Sequence, residues 1–137
     1  MLRKVVPLVI VLAAVSLAGC SLLSHEAPNE DVDKAAALFF QRLDKGEYDA
    51  IYNDASKKLK TNKTREIVTS SLKELTISGK TRAFDRTSMP IQGEGRGRML
   101  LPVYRVLFEQ GSGEVTLTYE DEGGEWKLFG FAFRPLR

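Results

Sequence analysis

The sequence predicts an α+β fold in which N-terminal helices pack on a curved antiparallel sheet. Three observations predict it. Between about residues 31 and 78 the apolar residues recur at spacings of three and four, the period of a helix with one buried face. From Thr81 onward the period drops to two, as in half-buried strands. Glycine-containing turns at 110–113 and 123–124 cut this second half into consecutive strands, and helices followed by a meander make an α+β domain.

Asn29 or Asp31 is placed to cap the first helix, whose opening turn carries Glu30, Asp31 and Asp33 where the dipole favours anions. Val32, Ala35, Ala36, Phe39, Phe40 and Leu43 line one face, and Gly46 ends the helix. A short second helix is expected from Glu47 to about Ala55, with Tyr48, Ile51 and Tyr52 inward. A third runs from about Thr64 to Ser78, burying Ile67, Val68, Leu72 and Leu75, and stops at Gly79.

Thr81 to Ser88 reads as the first strand, followed by a Gly- and Arg-rich loop from Pro90 to Arg98. Met99 to Glu109 reads as a long strand in which Pro102 marks an edge, a bulge or a late start. Gln110-Gly111-Ser112-Gly113 is the expected hairpin turn. Glu114 to Glu120 then alternates cleanly, sending Val115, Leu117 and Tyr119 to one face. Gly123-Gly124 turns the chain into a last strand, Trp126 to Phe133, with aromatics on both faces and Gly130 at a bulge or bend.

The N-terminus is of another kind. Arg3 and Lys4 precede an apolar run from Val5 to Ala18, broken only by Pro7 and Ser16, and Leu17-Ala18-Gly19-Cys20 closes it. A charged start, a short apolar centre and small residues at the end are the pattern of a secretory signal, here residues 1–19. The run falls short of the about 20 apolar residues that a spanning helix needs. The closing residues resemble the lipobox of bacterial lipoproteins. That resemblance implies cleavage between Gly19 and Cys20, a diacylglycerol on the Cys20 thiol and acylation of the new amino group. Two acyl chains make a stable anchor where one holds only marginally. Residues 20–30, polar and containing Pro28, are expected to form the lipidated tether, and 31–137 a single α+β domain. Ser21 stands where an aspartate would favour inner-membrane retention by the sorting rule of enteric bacteria. The expected location is therefore the periplasmic face of the outer membrane in a Gram-negative source, or the outside of the single membrane in a Gram-positive one.

The chain carries 20 Lys+Arg against 18 Asp+Glu, and losing Arg3 and Lys4 with the signal leaves 18 of each. Such a balance gives no concentrated basic face for nucleic acid, which is not expected as a partner. Cys20 is the only cysteine, so lipidation leaves no thiol for a disulfide, a metal or a nucleophile. The only histidine, His25, falls in the tether, outside any core. No metal or cofactor is expected.

The stretch AAALFFQRLDKGEYDAIY, Ala35 to Tyr52, resembles the opening of nuclear transport factor 2-like domains: an apolar helix, Gly-acid-aromatic, then a short aromatic helix. The ending GGEWKLFGF, with Trp126 and Gly130 in a last strand, is similar to theirs as well. Families of unknown function among small bacterial lipoproteins and secreted proteins share this layout. The resemblance spans roughly residues 32–133. It implies a cone, a strongly curved sheet wrapped on a helix around a concave pocket, which members use for isomerisation, dehydration or small-molecule binding. Many dimerise through the sheet face.

Fold alone does not choose among these uses. An isomerase- or dehydratase-like enzyme needs an inward carboxylate beside a tyrosine. Asp85 next to Tyr104 is the foremost candidate, with Asp44, Tyr48 and Tyr52 behind it; if Asp85 is solvated instead, its partner is Arg82 or Arg86. Tyr52 and Trp126 are the other candidates for lining a pocket. Phe39, Phe40, Tyr52, Trp126, Phe129, Phe131 and Phe133 are first needed as core. The cations Lys57, Lys58, Lys60, Lys63 and Arg65, and the second set Arg82, Arg86, Arg96, Arg98 and Arg105, read as solvated faces, with anionic headgroups or an acidic partner as the alternative. Glu120, Asp121, Glu122 and Glu125 read as a soluble hairpin tip. The expectation is a lipid-anchored envelope protein with a non-enzymatic binding or interaction domain and no catalytic residue. Its partners are membrane lipid, through Cys20, and an envelope protein or a second copy through the sheet face. The alternatives are the small enzyme and an accessory subunit of an envelope complex.

Overall fold

A computed structural model describes residues 27–94 and 97–137. The signal segment, Cys20, most of the tether with His25, and Arg96 lie outside the described residues. The order is α1 (Ala27–Asp44), α2 (Tyr48–Asp54), α3 (Lys57–Asn62), α4 (Arg65–Leu75) and a 3-10 turn, Thr76–Ser78. Six strands follow: β1 (Thr81–Ser88), β2 (Ile91–Gln92), β3 (Met99–Leu100), β4 (Val103–Phe108), β5 (Gly111–Glu122) and β6 (Glu125–Leu136). The strands are antiparallel and strongly curled, so the helices lie against a half-barrel: an α+β, cone-like fold.

Helix α1 starts earlier than its acidic residues suggest. It begins at Ala27 and takes Pro28 into its first turn, where a missing N–H costs nothing; neither Asn29 nor Asp31 is its cap. Gly46, with φ of 72°, lets the chain leave α1. Helix α3 was not expected. Ser56, fully buried, caps it by accepting from the Leu59 amide at 3.1 Å, and the Ser56 amide donates to the Leu128 carbonyl at 2.9 Å. Only Leu59 of this helix is buried, so the segment carries no apolar period. Thr64 caps α4, where Val68, Leu72 and Leu75 are buried. Ile67 is not, at 54% exposed, because the stripe is wider than the surface it covers.

The sheet is a four-run meander whose first two runs are each broken in the middle. β1 and β2 pair with β4 and β3, and β3 and β4 both pair along one side of β5. The break between β3 and β4 falls at Leu101-Pro102. Proline has no N–H for the ladder, yet its carbonyl still accepts from the Leu117 amide at 3.0 Å, which keeps the interruption inside the sheet. The β4–β5 turn is tighter than expected. Phe108 faces Gly111 across Glu109-Gln110, and Gly113 belongs to the strand. A Cβ on Gly113 would run into the Phe133 ring and the Arg134 carbonyl, so the sheet closes over a glycine. Opposite Thr118-Tyr119 the partners are Gly130 and Leu128, which leaves Phe129 as the extra residue of a bulge.

The core lies between α1 and the concave face of the sheet. Val32, Ala36, Phe39, Phe40 and Leu43 meet Leu100, Tyr104, Val106, Phe108, Val115, Leu117 and Tyr119. The Phe40 ring sits 4.6 Å from Phe84 and 5.8 Å from Tyr104, and such pairs contribute about 0.5–1.5 kcal/mol beyond area burial. Of the aromatics expected as core, Phe39, Phe40 and Tyr52 are buried, Trp126, Phe131 and Phe133 are half-buried around its margin, and Phe129 is half-buried at the β6 bulge. Both free edges of the sheet are blunted, β1 by bulges near each end and β6 by Pro135 and by the Ser56 bond to Leu128.

Candidate functional site

The curl of the sheet leaves a groove where the β5–β6 end passes α1 and α2. Residues three and four apart on α1 (Ala35, Leu38, Phe39, Arg42) form one wall, with Ile51 and Asp54 from α2 beside them. Tyr119 of β5 and Trp126, Lys127 and Leu128 of β6 form the other. The space is about 230 Å³ and open to solvent. Its surface is mostly apolar, and its charges are committed. Arg42 is ion-paired with Asp54, Lys127 with Glu125 at 3.1 Å, and the Arg98 guanidinium lies 5.5 Å from the Trp126 ring centre.

One polar group in this wall is not committed. Tyr119 is 3% exposed, and its hydroxyl has no hydrogen-bond partner among the described residues. Burial pushes its ionisation far above the usual tyrosine range, so at neutral pH it is a neutral donor. Leaving a buried donor unpaired costs about 1–3 kcal/mol.

A second polar constellation joins α1 to β1 and β4. Asp33 Oδ1 accepts from the Tyr104 hydroxyl at 2.9 Å and from Arg86 Nε at 2.9 Å, while Oδ2 accepts from Arg86 Nη2 at 3.2 Å. Burial, and then the bond to Asp33, raise the Tyr104 hydroxyl well above its ordinary value, and the same carboxylate holds Arg86 protonated. The carboxylate beside Tyr104 is therefore Asp33, not Asp85. Phe84 and Arg86 share the inner face of β1, so alternation turns Asp85 outward, exposed, opposite Arg105 and near enough to Arg86 to favour its charge.

No protein-family model and no curated protein matches this chain. The site's chemistry therefore rests on its own residues.

Of the four residues singled out as pocket candidates, the groove contains only Trp126. Tyr104 is buried against Asp33. Tyr52 is buried too, but its hydroxyl donates to the Lys63 carbonyl at 3.2 Å, and its ring lies 4.8 Å from the Arg65 guanidinium, so it fastens the end of α3. Asp44, the other carboxylate considered, accepts from the Thr81 amide at 2.9 Å and ties α1 to β1. Sequence reasoning missed Arg42, Asp54 and Tyr119. The inward alternation of Tyr119 was visible, and a buried tyrosine that needs a partner is the signal that could have marked it.

The lysines of α3 and the acidic hairpin explain each other. Glu122 accepts from the Lys57 amide at 2.9 Å, and Glu120, 5% exposed, pairs with Lys58 at 3.3 Å. A helix whose first turn has only cations thus receives its favourable negative charge from the β5–β6 hairpin. Glu120 and Glu122 are tertiary contacts rather than a solvated tip. Among the described residues, no three His, Cys, Asp or Glu side chains converge as a metal site, and no helix is long and apolar enough to cross a membrane.

Proposed function

We propose that this chain is a lipid-anchored protein of the cell envelope whose domain binds a ligand or partner rather than catalysing a reaction. The lipobox at Leu17-Ala18-Gly19-Cys20 supports the anchor, with Ser21 directing the protein to the outer membrane in a Gram-negative source. One observation carries the non-enzymatic part: Asp54, the carboxylate in the groove wall, is ion-paired with Arg42. An acid–base catalyst needs a carboxyl group poised near neutral pH and within reach of substrate. Asp33 is held by Arg86 and Tyr104, and Asp85 faces solvent. The cone of helices on a curled sheet supports membership of the nuclear transport factor 2-like superfamily, as a member that uses the concave side for binding.

The enzyme remains the rival reading, with Asp33 in place of Asp85 because, among the described carboxylates, it is the one bonded to a buried tyrosine. Complementation of a deletion strain separates the two. Asp33→Asn is expected to restore the phenotype, and Cys20→Ala to fail. A folded Asp33→Asn protein that reaches the envelope without restoring function overturns the binding reading.

A further inference from the structure

The groove has an amphipathic wall with one unmatched group. Arg42 and Lys127, the two cations of the lining, are each paired with a carboxylate, Asp54 and Glu125, so an anionic ligand would have to displace one of them. The Tyr119 hydroxyl is the exception: a neutral donor on a lining residue, buried and without a partner among the described residues. The rest of the lining is Ala35, Leu38, Phe39, Ile51, Leu128 and the Trp126 face. At about 30 Å³ for each water-sized group, 230 Å³ holds roughly eight of them.

We propose that this groove is a binding site for a compact, uncharged, mainly apolar molecule carrying one hydrogen-bond acceptor, and that the Tyr119 hydroxyl donates to that acceptor. The inference rests on the reading of the domain as a binder and adds the ligand class. The apolar body lies between Phe39 and Trp126. The hydroxyl itself has no exposed surface, so binding includes the shift of a lining side chain that opens it to the acceptor. A neutral acceptor suits the position better than a carboxylate, because desolvating an anion against a single donor is costly.

The test uses three probes of equal size: acetophenone, with a carbonyl; cumene, its counterpart without an acceptor; and benzoate, its anionic counterpart. The chain has one tryptophan, Trp126, so 5-fluorotryptophan labelling gives a single fluorine line from the groove wall. The lipidated full-length protein is titrated in phosphatidylcholine nanodiscs, with free probe concentrations set by dialysis. Acetophenone is expected to shift the line with an apparent affinity at least about tenfold better than cumene or benzoate, the scale of one neutral hydrogen bond. Tyr119→Phe is expected to fold and to reduce the preference for acetophenone over cumene to about one. Leu38→Phe, at the exposed rim, keeps Trp126 as the single tryptophan and is expected to weaken the response to all three. Equal binding of cumene, tighter binding of benzoate, or an unchanged acetophenone preference in Tyr119→Phe overturns the proposal. So does a silent fluorine line with every probe. In that last case, complementation by Asp33→Asn, outside the groove, still tests the binding reading separately.

Discussion

The Tyr104 hydroxyl donates to Asp33 Oδ1 at 2.9 Å across 71 residues of sequence, and Arg86 closes on the same carboxylate from the neighbouring strand. The contact fixes α1 on the sheet at the end nearer the tether. Tyr104→Phe keeps the ring packing on Phe40 and Phe84 and removes one hydrogen bond to a charged group. Such bonds contribute about 1.5–3 kcal/mol. Asp33 is partly solvated and keeps Arg86, so the expected loss is about 1–2 kcal/mol, read as a lower urea midpoint at unchanged slope.

Two of the buried tyrosines, Tyr104 and Tyr119, make stability fall in alkali. Their hydroxyls ionise above the ordinary value near 10 when folded, so the native state holds their protons more tightly than the unfolded chain does. The stability they contribute is complete below about pH 10 and is lost as pH rises through the folded values, by up to about 1.4 kcal/mol per pH unit for each tyrosine. Urea titrations between pH 9 and 11.5 should show a slope that is shallower in Tyr104→Phe and in Tyr119→Phe. A flat profile in the wild type would contradict the burial of both hydroxyls.

Trp126 and Phe40 separate wall from core. Phe40 is 1% exposed beneath α1, and Phe40→Ala is expected to cost about 3–5 kcal/mol. Trp126 is only half-buried in the groove wall, so Trp126→Ala should cost less, about 1–2 kcal/mol, with its apolar contact area reduced in proportion. Thermal melts of the two variants rank them; equal losses would make Trp126 a core residue.

Gly113 tests the closure of the sheet. Its backbone is ordinary extended strand, so strain is not the issue; the Phe133 ring occupies the space of a side chain. Gly113→Ala is expected to destabilise by about 1–3 kcal/mol through overpacking. The double variant Gly113→Ala with Phe133→Leu should recover part of that loss, measured as a melting temperature above that of the single variant.

Periodic features were legible in the sequence. Thr81–Ser88 is the first strand, Val115, Leu117 and Tyr119 face inward, and Gly130 adjoins a bulge, all from alternation and glycine placement. Features made by distant partners were not. Helix α3 depends on a buried serine cap and on Glu122, 65 residues away, so its own six residues carry almost no signal. Asp33 read as an ordinary acid in a helix's first turn until Tyr104 and Arg86 reached it. The groove was illegible for the same reason: Arg42, Asp54 and Tyr119 come from three elements and share no motif.

The central claim, that this is a binding domain held at the membrane by Cys20, meets its most direct test in the mass and phase partition of the mature protein. Wild type and Cys20→Ala are expressed in a lipoprotein-processing host, extracted with a phase-separating detergent and measured by intact mass. The wild type is expected in the detergent phase, lacking residues 1–19 and heavier than the peptide from Cys20 by its acyl chains. Cys20→Ala is expected to keep residues 1–19 or to move to the aqueous phase. Identical partition of the two proteins, with no acyl mass on the wild type, would contradict the account.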